Sequence, residues 1–384
     1  MNDRIRQWDQ ARAQYMREVR QRWAAMPRWG RALGVLALIA LLFYLPYLNW
    51  YPAAYIRTDI IPGGTDWSSV LFLCAIYVLV AVGLNVVVGL AGLLDLGYVG
   101  FFAVGAYSVA LFGSSDSYVT QWIQQRYGLS EEWAVAWAVC VPLAIAFTML
   151  SGVILGWPTL RVRGDYLAIV TLGFGEIIRI IARNSTFTGG PLGVIGVPKP
   201  PGTLPDGTRV FNVLDVERWY WLALVILLVM VFAVHRLEHS RVGRAWMAIR
   251  EDEDAAAAMG VPAFKFKLWA FAMGAALGGF SGMLFASRQG GVDPASFGAI
   301  LSILFVAMVV IGGQGNLLGV ATGAILLTYL PERFRAFEGW RPFAFGVAIV
   351  VVMILRPQGL IPSRRRATEL EDRKLEAEET AVSG

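Results

Sequence analysis

The sequence predicts an all-α membrane protein, a polytopic helical bundle of about ten spans. Composition is the first reason. Hydrophobic residues fill 57% of the 384 positions and charged residues only 16%, where a soluble chain carries roughly a quarter charged. Mean hydropathy is correspondingly high, at +0.56. Spacing is the second reason, because apolar runs of the ~20 residues that a helical crossing needs recur along the chain. Charge placement is the third. From Ser68 to Gly113 only Asp95 is charged, and from Pro294 to Pro331 nothing is. These features exclude a disordered chain and argue against an ordinary cytosolic enzyme. Cys74 and Cys140 lie in separate apolar runs, which indicates neither a disulfide framework nor a metal site.

Residues 1–30 form a basic arm, expected on the cytoplasmic side. Eight arginines between Arg4 and Arg31 are set against Asp3, Asp9 and Glu18. Ile5, Trp8, Tyr15, Val19, Trp23 and Met26 recur at roughly helical spacing among them. The pattern fits an amphipathic helix on an anionic leaflet, or a solvated arm that only sets orientation. The net charge of +5 is concentrated at this end, so membrane lipids are the expected partner and nucleic acid is not. The arm is too long for a cleaved secretory signal.

Residues 31–362 hold the crossings, expected near 31–51, 68–90, 96–113, 133–156, 166–183, 219–235, 266–287, 296–312, 317–331 and 342–356. The charge-free stretch 294–331 is short for two full spans, so abbreviated or broken helices are expected there. Lys and Arg concentrate in the arm, at Arg161 and Arg163, from Arg236 to Lys267, and at Arg356 and Arg364–Arg366. That bias places both termini in the cytoplasm. Residues 184–218 read as a turn-rich outer loop, with Thr188-Gly-Gly-Pro191 and Asp206-Gly207. Residues 236–265 form the polar inner connection, with a helix expected over 244–260, and residues 363–384 a charged cytoplasmic tail.

Shifting the chain on itself by 223 positions lays Gly89 and Gly92 on Gly312 and Gly315, and Gly100 on Gly323. Gly-interrupted repeats often meet at a transporter's substrate path, although glycine also serves close helix packing. The run Gly274-x-x-x-Gly278-x-x-x-Gly282 is read as packing alone. Asp95, Glu176 and Arg179 are charges in or beside apolar segments, costly unless paired or hydrated. Glu176 and Arg179 are three apart and can pair on one helix face. Asp95 is read as a cap for the third span.

Two enzymatic motifs can be tested directly. His235-Arg-Leu-Glu-His239 matches a zinc-peptidase pattern, but these are the chain's two histidines, they sit where a span exits, and no third ligand is evident. No metal or catalytic residue is expected. Lys199, Lys265, Lys267 and Lys374 follow Pro, Phe, Phe and Arg, so a phosphate-binding Gly-Lys loop does not occur in this sequence. If ATP drives the protein, another chain hydrolyses it.

Asp254-Ala255-Ala256-x-x-x-Gly260 resembles the coupling loop of ABC importer permeases, with Asp where the family has Glu. Gly83–Tyr98, Arg163–Arg179, Thr188–Pro191, Gly243–Glu253 and Arg356–Pro362 resemble, in order over about 68–362, the high-affinity branched-chain amino-acid ABC permeases. The resemblance implies a type II importer permease with two inverted halves, of the longer of two paralogous kinds. It implies a second permease subunit, two ABC ATPase subunits and a periplasmic solute-binding protein as partners, in a bacterial inner membrane. No cofactor is implied, ATP being used by the partners. Leucine, isoleucine and valine are the implied cargo, although the same family imports urea, short amides and other amino acids. A secondary transporter is the rival from another class. ATPase coupling then falls to Arg244, Arg250, Glu251, Asp252, Glu253, Asp254, Ala255, Ala256 and Gly260. The translocation path falls to Asn85, Gly89, Gly92, Asp95, Thr171, Gly173, Gly175, Glu176, Gly312 and Gly315.

Overall fold

Apolar sequence becomes helix here wherever it is long enough, and the exceptions are where the interest lies. The computed structural model describes residues 27–50, 67–161, 165–203, 210–212, 215–333, four positions between 343 and 350, and 359–361. The arm up to residue 26, the tail 363–384 and most of the crossing expected near 342–356 lie outside these residues.

The first of two compact units ends at Asp59. Its helix α1 (Arg28–Tyr44) starts directly after Pro27 and tightens into a 3₁₀ turn, Leu45–Trp50. Proline tolerates that entry because the first N–H groups of a helix have no intrahelical partner.

The second unit, residues 60–384, carries the bundle. Helix α2 (Trp67–Asn85) runs into a π-turn, Val86–Leu90, and α3 spans Val99–Gly113. Then come α4 (Tyr118–Tyr127), α5 (Trp137–Thr159), α6 (Asp165–Asn184) and α7 (Val216–Glu238). Short α8 (Arg241–Glu251) and α9 (Glu253–Ala258) precede α10 (Ala263–Gln289), α11 (Ala299–Gly312) and α12 (Leu317–Arg333). Among the described residues, five helical stretches are long and apolar enough to cross a membrane: 67–90, 99–127, 137–159, 216–238 and 263–289. Helices α11 and α12, at 14 and 17 residues, are abbreviated as the charge-free stretch predicted. The molecule is a mostly helical, multi-pass membrane protein.

Helix α2 is apolar all round and almost entirely buried, as a central helix must be. It packs against α7, α12 and α10, and α10 packs in turn against α3 and α5. Lipid tails are as apolar as leucine, so helices in a membrane gain cohesion by close backbone approach. The α10 glycines supply it. A Cβ on Gly282 would run into the carbonyl of Phe102, one on Gly278 would lie 3.0 Å from the Tyr98 ring, and one on Gly274 would strike Val87. Gly105 of α3 meets Gly279 of α10 in the same way. The stripe 274/278/282 is packing, as its spacing indicated.

Two features have no counterpart in the hydropathy pattern. Helix α4 is polar. Ser117 Oγ accepts the Thr120 N–H at 3.1 Å to cap it, and Gly128, at φ +63, ends it. In the expected outer loop, β1 (Val194–Ile195) pairs antiparallel with β2 (Gly291–Val292), in register Val194↔Val292. The Gly196 and Val197 N–H groups both donate to the Gly290 carbonyl, which ties the loop to the end of α10.

Gly282→Leu should prevent the α3–α10 approach and destabilise the protein by at least about 1–3 kcal/mol, the usual cost of overpacking. Thermal unfolding in detergent reads this; an unchanged midpoint would mean that α3 and α10 do not meet there.

Candidate coupling and translocation site

The site is built around an opened span. Val86-Val87-Val88 places three β-branched residues, stiff at χ1 and weak helix formers, at the end of α2, with Gly89 and Gly92 following. The helix widens there. The Ala91 N–H bonds to the Val86 carbonyl at 3.2 Å and the Leu93 N–H to the Val87 carbonyl at 3.1 Å. Gly92 then turns the chain at φ +73, a conformation that suits glycine. Opening a helix in a dry interior frees backbone groups that must be paired elsewhere. Arg250 of α8 supplies one partner, its Nη1 donating to the Gly89 carbonyl. The Arg250 side chain also occupies the space beside Gly92, where a Cβ would sit 2.7 Å from its Cγ.

A second break lies between α11 and α12, where Gly313 and Gly315 take φ +116 and +80. The two breaks touch. Asn85 Oδ1 accepts the Gly315 N–H at 2.8 Å, and a Cβ on Gly89 would stand 2.7 Å from that nitrogen. Gly92 and Gly315, equivalent under the 223-residue shift, therefore share a left-handed backbone at facing turns. Gly312 differs, since its missing side chain admits Gly319 and Val320 of α12; it serves packing. The carbonyls at the open end of α11 are paired by the Leu360 N–H on Ile311 (2.7 Å) and the Ile361 N–H on Gly312 (3.1 Å).

Between the first break and α3 runs the segment 91–98. Asp95 is fully buried. Its Oδ1 accepts the Gly97 N–H at 2.9 Å, forming a turn before the helix. The helix itself begins at Val99 with Tyr98 at its N-cap, so Asp95 is not the cap that the sequence suggested: two turn residues intervene. Thr171 Oγ1 accepts the Leu96 N–H at 3.0 Å, and Ser302 Oγ donates to the Leu96 carbonyl. A Cβ on Gly97 would run into the Thr171 carbonyl, and one on Gly175 would stand 3.4 Å from the Gly97 carbonyl. Asp95, Thr171 and Gly175 are thus brought together with the break. Gly173 is not; it is exposed, with nothing within 4 Å of its Cβ position. Glu176 is half-buried and paired with Arg179 at 2.7 Å, the local pair that the spacing predicted.

The coupling segment is two helices, not the single helix expected over 244–260. Ser240 Oγ accepts the Val242 and Gly243 N–H groups to start α8. The Trp246 indole is buried and donates to the Phe266 carbonyl at 2.7 Å, fixing α8 to α10. Asp252 then breaks the run with extended backbone (φ −153, ψ 112). Its Oδ1 accepts the Asp254 and Ala255 N–H groups, each at 2.9 Å. A short acidic side chain that bonds to nearby backbone competes with the helix in this way. Glu253 pairs with Lys267 of α10, and Ala256 is buried. Gly260, at φ +84, closes α9. Glu251, Asp254 and Ala255 are exposed, Arg244 donates to the His239 carbonyl, and Met259 is 85% exposed. Lys267, Trp246 and Ser302 were missed from sequence. Lys267 carried a signal as one of two lysines beside the acidic cluster, and Trp246 lay in the family-like stretch Gly243–Glu253 with no role assigned to it.

Residues 67–356 match the family described as branched-chain amino acid transport system / permease component. The chain belongs to this permease family. It is 41% identical over 322 residues to the high-affinity branched-chain amino acid transport system permease protein LivM of Salmonella typhimurium, covering 79% of this chain and 72% of that one. Identity to the Escherichia coli protein of the same name is 42%, over 78% and 71% of the two chains. A probable branched-chain amino acid transport permease protein LivM of Methanocaldococcus jannaschii is 26% identical, over 77% of this permease and 93% of its own length. No solved structure matches.

In this permease Arg250→Met removes the donor from the opened turn. Amide hydrogen exchange across residues 86–93 should then accelerate by about tenfold or more, since a charge-assisted bond contributes ~1.5–3 kcal/mol. Exchange unchanged in this segment would show that Arg250 does not hold the turn.

Proposed function

We propose that the chain is the membrane-spanning permease subunit of an ATP-driven importer that carries leucine, isoleucine and valine inward by alternating access. The single observation that carries the reading is the bond from Arg250, in the exposed coupling segment, to the carbonyl of Gly89 in the opened span. A force applied to α8 and α9 from outside the chain has there a direct mechanical link to the interior.

The motor would be a pair of ABC ATPase subunits on the cytoplasmic face. Exposed Glu251, Asp254, Ala255 and Met259 offer it a grip, while Trp246 and Glu253 root the grip in α10. The family membership supports a paralogous second permease and a periplasmic solute-binding protein as further partners. The Lys/Arg bias supports cytoplasmic termini, and the likeness to the Salmonella typhimurium and Escherichia coli permeases supports a bacterial inner membrane. The facing breaks at Gly92 and Gly315 support two related halves, and the apolar runs of the sequence support about ten spans.

The path is assigned to the face of α6 that is left exposed among the described residues. Ile169, Val170, Gly173, Ile177 and Ile180 are exposed along it, and Glu176 with Arg179 adds a half-buried ion pair. An apolar stripe with modest polarity suits a zwitterion carrying a branched aliphatic side chain. The second permease would close the stripe into a conduit.

Reconstituted with its partners, the permease should support ATP-dependent uptake of radiolabelled leucine, isoleucine and valine. Uptake of urea or an amide without leucine would overturn the cargo assignment, and uptake without any ATPase would favour a secondary transporter. The double variant Glu251→Arg/Asp254→Arg spares the Asp252 cap and the Glu253–Lys267 pair. It should leave the complex assembled and hydrolysing ATP while leucine uptake falls at least about tenfold, the equivalent of ~1.4 kcal/mol of coupling. Normal uptake would remove the coupling role. Gly173→Leu should leave thermal stability within about 0.5 kcal/mol, as for an open surface position, yet reduce uptake. Full transport by that variant would place the path elsewhere.

A further inference from the structure

The motif His235-x-x-Glu238-His239 has no part in the transport scheme, and the structure gives it a third ligand that the sequence reading lacked. The three residues occupy positions i, i+3 and i+4, His235 and Glu238 in the last turn of α7 and His239 at its C-cap, and so share one face. One ligand atom from each lies within 4.8 Å of the others. The two imidazole centroids are 4.5 Å apart with the rings tilted by 59°. Both histidines are exposed and Glu238 is half-buried, so an ion can enter from water.

We propose that His235, Glu238 and His239 bind one divalent transition-metal ion of the zinc class, at the junction of α7 and the coupling segment. Two imidazole nitrogens and one carboxylate oxygen form a borderline-soft donor set that suits zinc, with the fourth position left to water. The histidine orientation is already set. His239 Nδ1 lies 2.8 Å from the His235 carbonyl; donating there, it leaves the Nε2 lone pair for the ion, as a second-shell contact does in metal sites. The helix contributes as well, because the carbonyl end of α7 carries partial negative charge that favours a cation. The neighbouring guanidiniums are engaged away from the donors: Arg236 lies over the Phe232 ring at 6.0 Å and Arg244 on the His239 carbonyl at 3.0 Å. Glu238, which the peptidase pattern would reserve as a base, is here among the ligands. A bound ion would staple residues 235–239, directly before the Ser240 cap that starts α8, and stiffen the entry to the coupling segment.

The test uses the full-length permease in its complex, purified on a tag without histidine, with cobalt and zinc as probes. Cobalt should add visible absorption bands at one ion per permease chain, and zinc should displace it. His235→Ala and His239→Ala should each weaken zinc binding at least about tenfold, as competition with a chromophoric chelator reads it, and Glu238→Gln by a smaller factor in the same direction. Because both histidines are exposed, the variants should keep the parent's thermal stability and its metal-free leucine uptake, which separates loss of metal from loss of fold. Zinc affinity unchanged in the double variant His235→Ala/His239→Ala, or no stoichiometric binding by the parent complex, would overturn the site.

Discussion

Backbone groups freed inside a dry interior must find partners, and the architecture of this permease follows from how it meets that demand. Among the described residues, helix is interrupted at 86–92 and again at 313–315. In a membrane such interruptions persist only when buried in protein or set against water. Here the partners come from far along the chain. The guanidinium of Arg250 takes the Gly89 carbonyl, the side chain of Asn85 takes the Gly315 N–H, and the backbone of residues 360 and 361 closes the open end of α11. Each partner sits in a different element, so satisfying the breaks also assembles the elements. Asn85 is the joint between the breaks: its carbonyl oxygen spans the contact that relates the two Gly-rich segments.

The tight packing of α10 serves the same end. Gly274 and Gly278 bring α10 against α2 and the Tyr98 ring, whose hydroxyl donates to the Gly274 carbonyl at 2.6 Å. Tyr98 stands at the end of the segment that follows the first break, so α10 holds that segment from one side. Thr171 of α6 and Ser302 of α11 hold it from others, through Leu96. Around this segment, polar side chains thus pair backbone groups that no regular helix pairs.

Much of this was legible in the sequence, for an identifiable reason. A crossing is written in hydropathy, and helices α5, α7 and α10 lie within a few residues of their expected limits. The glycine match at a shift of 223 marked the breaks because positive φ narrows the choice of residue. What escaped was written in single polar side chains. Helix α4 is short and mixes Tyr118, Val119, Trp122 and Ile123 with Gln121, Gln124, Gln125 and Arg126; its clearest signals were one serine cap and one glycine stop. Asp252 looked like one more acidic residue in a helix, and its conflict with that helix appears only when its carboxylate turns onto the backbone. Gly312 and Gly315 look alike in sequence, yet one admits a neighbouring helix and the other reverses the chain. The inward reach of Arg250 was hidden because its partner is a carbonyl 161 positions away.

These contacts also constrain how force can travel. Helix α8 is fixed to α10 through Trp246 and Phe266, and α9 through Glu253 and Lys267. A push on the exposed acidic surface therefore cannot slide α9 over α10 without breaking an ion pair, and α8 cannot tilt without withdrawing a buried indole. The remaining compliance lies at Asp252, where the two short helices are joined by one extended residue, and at the opened turn that Arg250 grips. Under the proposed coupling, displacement of α8 would pass to the turn at residues 86–92 through Arg250 as directly as it passes to α10 through Trp246. A π-turn already lacks the regular ladder of bonds that stiffens a helix, so it yields first. The break in α2 is thus what Arg250 holds in the structure and, in the proposed scheme, what would move with it.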